Sequence, residues 1–193
     1  MRYRVLILWL VGSLVACAGG SPKTAYYTLS STEVAKPVAN KQHIKSVGIS
    51  RVQIPDLLKR SQMVLRKQGY QVDVSDTYQW GGDLRDELTN ALVQQLQVRL
   101  PATRIQTAPW ELEQTPQYEF SLQVSQFDGA LNDKAYLKGR WQLLRGASDK
   151  LVEAGTVDLV RKVEGDTVGD IVKAQNALIG QLVDLWVSAL PKP

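Results

Sequence analysis

Two stretches of this chain alternate apolar and polar residues with a period of two, while two others repeat apolar residues every three to four positions, so neither an all-helical nor an all-strand fold accommodates it. Tyr118, Phe120, Leu122 and Val124 alternate with Glu119, Ser121, Gln123 and Ser125, as a half-buried antiparallel strand should. Leu137, Gly139, Trp141 and Leu143 share one face of a second strand, with Lys138, Arg140 and Gln142 on the other and a turn over 129–133 before it. A third run, 151–163, follows Gly146-Ala147-Ser148-Asp149 and completes a three-stranded meander.

The helical period appears first in Leu84, Leu88, Leu92 and Leu96, with Ala91 beside them. Asp83 is placed to cap this helix, Asp86 and Glu87 fall in its first turn, Arg99 falls in its last, and Pro101 ends it. The second helix opens on Thr167 with Asp170, a capping-box spacing. Its apolar face is Val168, Ile171, Val172, Leu178, Ile179, Leu182, Leu185, Trp186 and Ala189, and Pro191 closes it.

Upstream, 26–30 reads as a short strand and 31–42 as a polar loop. Strand character returns over 44–54, where Val47 and Ile49 shift phase to Val52 and Ile54, as at a bulge. Pro55 then starts a single turn, Asp56-Leu57-Leu58. The segments 62–66 and 70–74 form a hairpin about Lys67-Gln68-Gly69. The expected fold class is α+β, a mainly antiparallel sheet with two long helices packed on one face.

Scarce residues limit the chemistry. The 193 residues hold one cysteine, Cys17, and one histidine, His43. There is no intramolecular disulfide, and neither CxxC nor HExxH occurs, which excludes a zinc finger and a zincin. No metal site is expected. GxGxxG, Walker A and GxSxG motifs are absent as well, and His43 sits in a polar segment where a surface position is expected. Asp83, Asp86 and Glu87 are better explained by helix capping than by acid–base work. Trp80-Gly81-Gly82 before that helix could offer backbone N–H groups to an anion, but the neighbouring carboxylates oppose one. The chain reads as a non-enzyme without a cofactor.

Arg2 and Arg4 precede an apolar run from Val5 to Val11 that reaches Leu14-Val15-Ala16-Cys17, the layout of a secretory signal peptide. The run is shorter than the roughly 20 residues of a spanning helix. Leu14-Val15-Ala16-Cys17 resembles the lipobox of bacterial lipoproteins, which implies cleavage between Ala16 and Cys17, an S-diacylglyceryl group on the thiol and an N-acyl group on the new terminus. The implied division is a signal peptide over 1–16, a lipidated tether over 17–24 and one domain over 25–190. Several acyl chains give stable anchoring where one alone binds marginally. Loss of 1–16 removes two arginines and leaves 21 basic against 19 acidic residues, so the formal charge of +4 falls by half. With no Lys/Arg block and no basic-aromatic interleaving, nucleic acid is not an expected partner. Of the four mature tryptophans, Trp141 and Trp186 lie on apolar faces, whereas Trp80 and Trp110 sit near element ends and are candidates to face a partner, with core packing the stronger alternative for each.

Taken in order, Leu-Val-Ala-Cys17, Tyr26-Tyr27-Thr28-Leu29, Ile54-Pro55-Asp56-Leu57-Leu58, Met63-Val64-Leu65-Arg66, Trp80 with Leu84 and Leu88, Phe127-Asp128-Gly129 and Gly139-Arg140-Trp141 resemble the PqiC-type ABC-transport auxiliary lipoproteins. The resemblance implies a lipoprotein anchored in the inner leaflet of the outer membrane and facing the periplasm. It implies partnership with an MCE-domain protein and an inner-membrane component in intermembrane lipid transport, a part in membrane integrity, and no catalysis. Homo-oligomerisation is left open. In that family, lipoproteins lacking Asp after the acylated cysteine go to the outer membrane, and Ala18 fits this rule. The alternatives are a periplasmic lipid-binding carrier and a structural envelope lipoprotein of another ABC exporter.

Overall fold

The computed structural model of the protein describes residues 23–30, 36–38, 41, 43–111, 114–146 and 148–192. Cys17, Ala16 and Ala18, with the signal-peptide and most of the tether expectation, lie outside the described residues, as does most of the loop expected over 31–42.

Among the described residues eight strands form one sheet: β1 (Ala25–Tyr27), β2 (Ser46–Gln53), β3 (Gln62–Arg66), β4 (Val72–Trp80), β5 (Arg104–Thr107), β6 (Tyr118–Gly129), β7 (Lys134–Arg145) and β8 (Lys150–Lys162). Two helices, α1 (Leu84–Arg99) and α2 (Val168–Ala189), cover one face of it, as the apolar stripes require. The α+β class holds. The antiparallel ladders β6–β7–β8 and β3–β4 carry most of the pairing, but β1–β4, β2–β5, β2–β6 and β3–β6 are parallel, so the sheet is more mixed than local periodicity indicates.

The sheet branches at β6. One edge of that strand pairs with β7 along its length, and the other edge takes β2 from Val47↔Tyr118 to Gln53↔Gln123 and then β3 at Leu65↔Gly129. Between these two strands Pro55 and the 3₁₀ turn Asp56–Leu58 break the ladder, because proline has no N–H to donate. The phase shift read in β2 is a register shift between Ile49 and Arg51 against β6.

Local chemistry sets the helix ends. The Asp83 side chain accepts from Arg85 N at 2.9 Å, and Thr167 with Asp170 forms a reciprocal capping box. At the other end Arg99 ties the helices together: its Nε reaches Asp184 Oδ1 at 2.5 Å, its Nη2 donates to Gly180 O at 3.1 Å, and its Nη1 donates to the Gln95 side chain. Residues between β1 and β2 close both helix C-termini. Val38 N donates to Arg99 O at 2.8 Å, and Lys41 Nζ donates to Leu190 O and, at 3.2 Å, to Pro191 O. Arg99 O is one of the carbonyls a helix end leaves without a partner, and Leu190 O belongs to the residue that caps the second helix. Burial pushes the Lys41 pKa down, and the Lys192 charge adds to the fall.

Candidate functional site

Two surfaces are open to a partner: the face of the sheet that the helices leave bare, and the end of the sheet that carries the turns 67–71 and 130–133. Both are positioned by β6 and β7. Phe120, Leu122 and Val124 point into the core, while Glu119, Ser121, Gln123 and Ser125 form the bare face. In β7 Leu137, Trp141 and Leu143 are buried and Arg140 and Gln142 are exposed. The core under the helices is filled by stacked rings. Phe120 and Trp186 lie 4.5 Å apart at an interplanar angle of 3°, and Trp141 stands 6.1 Å from Phe120. Trp141 extends over Gly155, where an added Cβ would come within 2.9 Å of the indole.

Near Gly129 the bare face carries a charged cluster. Asp128 is buried and accepts from Arg66 Nε at 3.0 Å and Nη2 at 2.6 Å, with Gln126 Nε2 donating to it at 2.9 Å. The hydrogen bond from Arg66 to Asp128 holds the guanidinium pKa above its ordinary value, opposed by burial and supported by the Asp128 and Tyr136 charges. Arg66 and Lys138 lie 5.7 and 5.9 Å from the Tyr136 ring, and Lys138 pairs with Asp158 at 2.9 Å. This bidentate pair fixes the end of β3 to β6 where the two strands share a single register position. It joins two of the motif pieces read from the sequence, Met63-Val64-Leu65-Arg66 and Phe127-Asp128-Gly129. Neither piece alone signals the contact, which spans 62 positions.

The same end holds two turns. The β3–β4 turn closes through Lys67 N to Gln71 O at 2.9 Å, with Gly69 at φ 61°, a left-handed conformation that favours glycine. The β6–β7 turn closes through Ala130 N to Lys134 O at 3.0 Å, and it is clamped to the loop before α2 by Asn132 N to Gly165 O at 3.2 Å and Val163 N to Asp133 O at 2.8 Å. An open cleft of about 500 Å³ lies between the turns, lined by Arg66, Lys67, Gln71, Ala130, Leu131 and Asp133.

The candidate tryptophans separate. Trp80 is 5% exposed and packs on Phe127 with ring centroids 6.3 Å apart, which corrects its reading as a partner-facing residue: the end of β4 turns inward, and Phe127 of β6 closes over it. Trp110 is half-buried on the bare side, its ring within 2.9 Å of where a Cβ of Gly48 would stand. No side chain larger than that of glycine fits beneath it. Two of the three backbone donors that could face an anion are in use, since Trp80 N donates to Ser61 O and Gly81 N to Tyr27 O, each at 2.7 Å. His43 is exposed, with Nε2 3.1 Å from Pro191 O. Among the described residues no group of three or more His, Cys, Asp and Glu is placed to hold a metal, and no helix is long and apolar enough to cross a membrane.

Comparison with known proteins matches this arrangement to one family. The model of the ABC-type transport auxiliary lipoprotein component family matches residues 27–185. The chain is 24% identical over 139 residues to the intermembrane transport lipoprotein PqiC of Escherichia coli (strain K12), covering 72% of this chain and 71% of that protein. The same protein of Shigella flexneri matches to the same extent. Among solved structures, the crystal structure of an uncharacterized protein superposes with a TM-score of 0.71 at 21% identity, over 89% of this chain and all of that one. A Xanthomonas campestris protein superposes with a TM-score of 0.67 at 13% identity, over 85% and 93%. At these identities the two structures share the fold.

Proposed function

The chain belongs to the family of ABC-type transport auxiliary lipoprotein components, and we propose that it is the outer-membrane component of an MCE-type intermembrane lipid transport system. In this reading Cys17 carries the S-diacylglyceryl and N-acyl groups after cleavage at Ala16, and Ala18 leaves the protein free to be sorted to the outer membrane. The domain faces the periplasm, docks the MCE protein that links it to the inner-membrane component, and so supports membrane integrity. The family is one of transport auxiliaries and not of enzymes.

The observation that carries docking over carriage is the filled layer between the sheet and α2. A carrier needs an apolar cavity for acyl chains, typically of several hundred Å³. Here the layer between the sheet and α2 is occupied by Phe120, Trp141 and Trp186, with Leu178, Leu182 and Trp186 fully buried. The bare face, with half-buried Trp110 at one end, is the surface offered to the MCE protein.

Native mass spectrometry after mild extraction from membranes tests this directly. An MCE protein retained without stoichiometric phospholipid is the expected result, and a phospholipid bound to the isolated chain would overturn docking in favour of carriage. Cys17→Ser is expected to yield an unprocessed, unacylated precursor, and Ala18→Asp to move the protein toward the inner membrane on a density gradient. Processing of the Cys17→Ser chain with retention in the outer membrane would refute the anchor.

A further inference from the structure

On the reading that Cys17 is the acylated residue, we infer that the domain rests on the membrane through the paired turns 67–71 and 130–133, with Tyr70 and Leu131 in the phospholipid headgroup layer. The length and direction of the chain carry the argument. β1 runs parallel to β4 with Ala25 opposite Tyr78, so the tether enters β1 from the Val72 end of β4, the end that the 67–71 turn opens. Cys17 lies eight positions before Ala25, and residue 70 lies eight positions before Tyr78. At about 3.3–3.6 Å per residue, a tether pulled straight back along β4 brings Cys17 no farther than the level of the hairpin tip. A bilayer that holds the acyl chains of Cys17 therefore meets the tip of this hairpin.

The chemistry of the two turns fits that neighbour. Tyr70 is 102% exposed and Leu131 44%, each large side chain standing on a turn whose backbone is closed by the hydrogen bonds given above. Neither contributes to the core, so the fold alone gives no reason for them. Tyrosine concentrates at membrane–water interfaces, where an apolar ring meets a polar hydroxyl, and lysines lay their stems along such a surface. Lys67 and Lys134 flank the two tips, and Tyr26, 67% exposed, lies on β1 beside the entering tether. Asp73, Asp133, Glu164 and Asp166 at the same end offset the lysines, so the surface suits a largely zwitterionic phospholipid layer better than a strongly anionic one.

The test uses the mature lipoprotein reconstituted in vesicles of phosphatidylethanolamine with a minor share of phosphatidylglycerol. An environment-sensitive fluorophore is placed at Tyr70→Cys, at Leu131→Cys and, at the opposite end of the sheet, at Ser148→Cys, and acylated Cys17 takes no label. Brominated phospholipid is expected to quench the probes at 70 and 131 and to leave the probe at 148 unquenched. Equal quenching at all three sites, or none at 70, overturns the inference. A probe at 70 shielded from aqueous iodide but not quenched by lipid would place a second protein chain there and also overturn it. The mass of the Cys17 peptide from the same sample separates the two readings: acylated Cys17 with an unquenched probe at 70 refutes the membrane contact alone, whereas unmodified Cys17 removes the anchor and the contact together.

Discussion

The two faces of the β6–β7–β8 meander share one backbone and differ in every cross-strand row. Under the helices the rows run Leu122–Trp141–Gly155 and Val124–Gly139–Val157. On the other side they run Gln123–Arg140–Thr156 and Ser121–Gln142–Ala154. One face is packed into the core and the other is largely open to solvent. The same ladder can therefore hold the fold and present a docking surface without either role compromising the other. The exception is the Asp128 end, where the bare face acquires a buried ion pair because β3 has to be fixed to β6 there.

The largest expected effect tests the covered face. Trp186→Ala removes a ring stacked 4.5 Å from Phe120 at a site with no exposure, and a loss of about 3–5 kcal/mol is expected in chemical denaturation. Trp186→Phe keeps the stack and deletes an indole N–H that has no hydrogen-bond partner, so it should cost less than about 1.5 kcal/mol. If the two variants were equally destabilised, ring packing would not be what holds this face.

Next in size is the exception. Asp128→Ala strands the Arg66 guanidinium, whose side chain is 21% exposed, and about 2–3 kcal/mol should be lost, less than for a fully buried pair. Arg66→Met with Asp128→Leu should recover part of that loss. No recovery would mean that the pair's geometry, and not the stranded charge, sets the cost.

A smaller effect concerns the start of α2. Thr167→Val removes a cap and should cost about 1 kcal/mol in thermal unfolding. The hydrogen bonds from the Thr167 side chain and backbone hold the Asp170 carboxyl below its ordinary range. A carboxylate with a lowered folded-state pKa contributes stability above its unfolded pKa and loses it as the pH falls through the folded value. The difference between the native chain and Thr167→Val is therefore expected to narrow in acid, and a gap that stays constant would exclude the Thr167–Asp170 exchange as its source.

The smallest effect tests the bare face. Gln123→Ala with Arg140→Ala should move stability by no more than about 0.5 kcal/mol, while recovery of the proposed MCE partner in a crosslinked pull-down should fall. A marked loss of stability would show that this face is not free.

Legibility in the sequence follows the range of each interaction. Both helices could be read to within a residue or two because their caps and periods are local: Asp83 and Arg99 bound α1, and Thr167 with Asp170 opens α2. The meander was legible for the same reason, since hairpin partners follow one another. What depends on distant partners was not. β5 is four residues long, with no alternation to mark it, and becomes a strand only by pairing with β2. The four parallel joins have no local signal, and β4 extends six residues beyond the expected Val74 because β1 pairs with its far end. For Trp80 the sequence leaves core and partner-facing positions both open, because its place at the end of β4 says nothing of Phe127, 47 residues later, which covers it.

The order in which these partners appear along the chain bears on how the protein is made. β1 can pair only after β4 exists, and β2 lies between β5 and β6, so no strand before residue 60 has its neighbour until a later one arrives. A protein exported amino terminus first delivers these strands early and their partners late. Such long-range pairing is slow to form, since chain closure is entropically costly before any contact offsets it. If Cys17 is acylated as proposed, the enzyme that acts there would meet a chain whose sheet has yet to close, and late closure would give lipid attachment the time to precede folding.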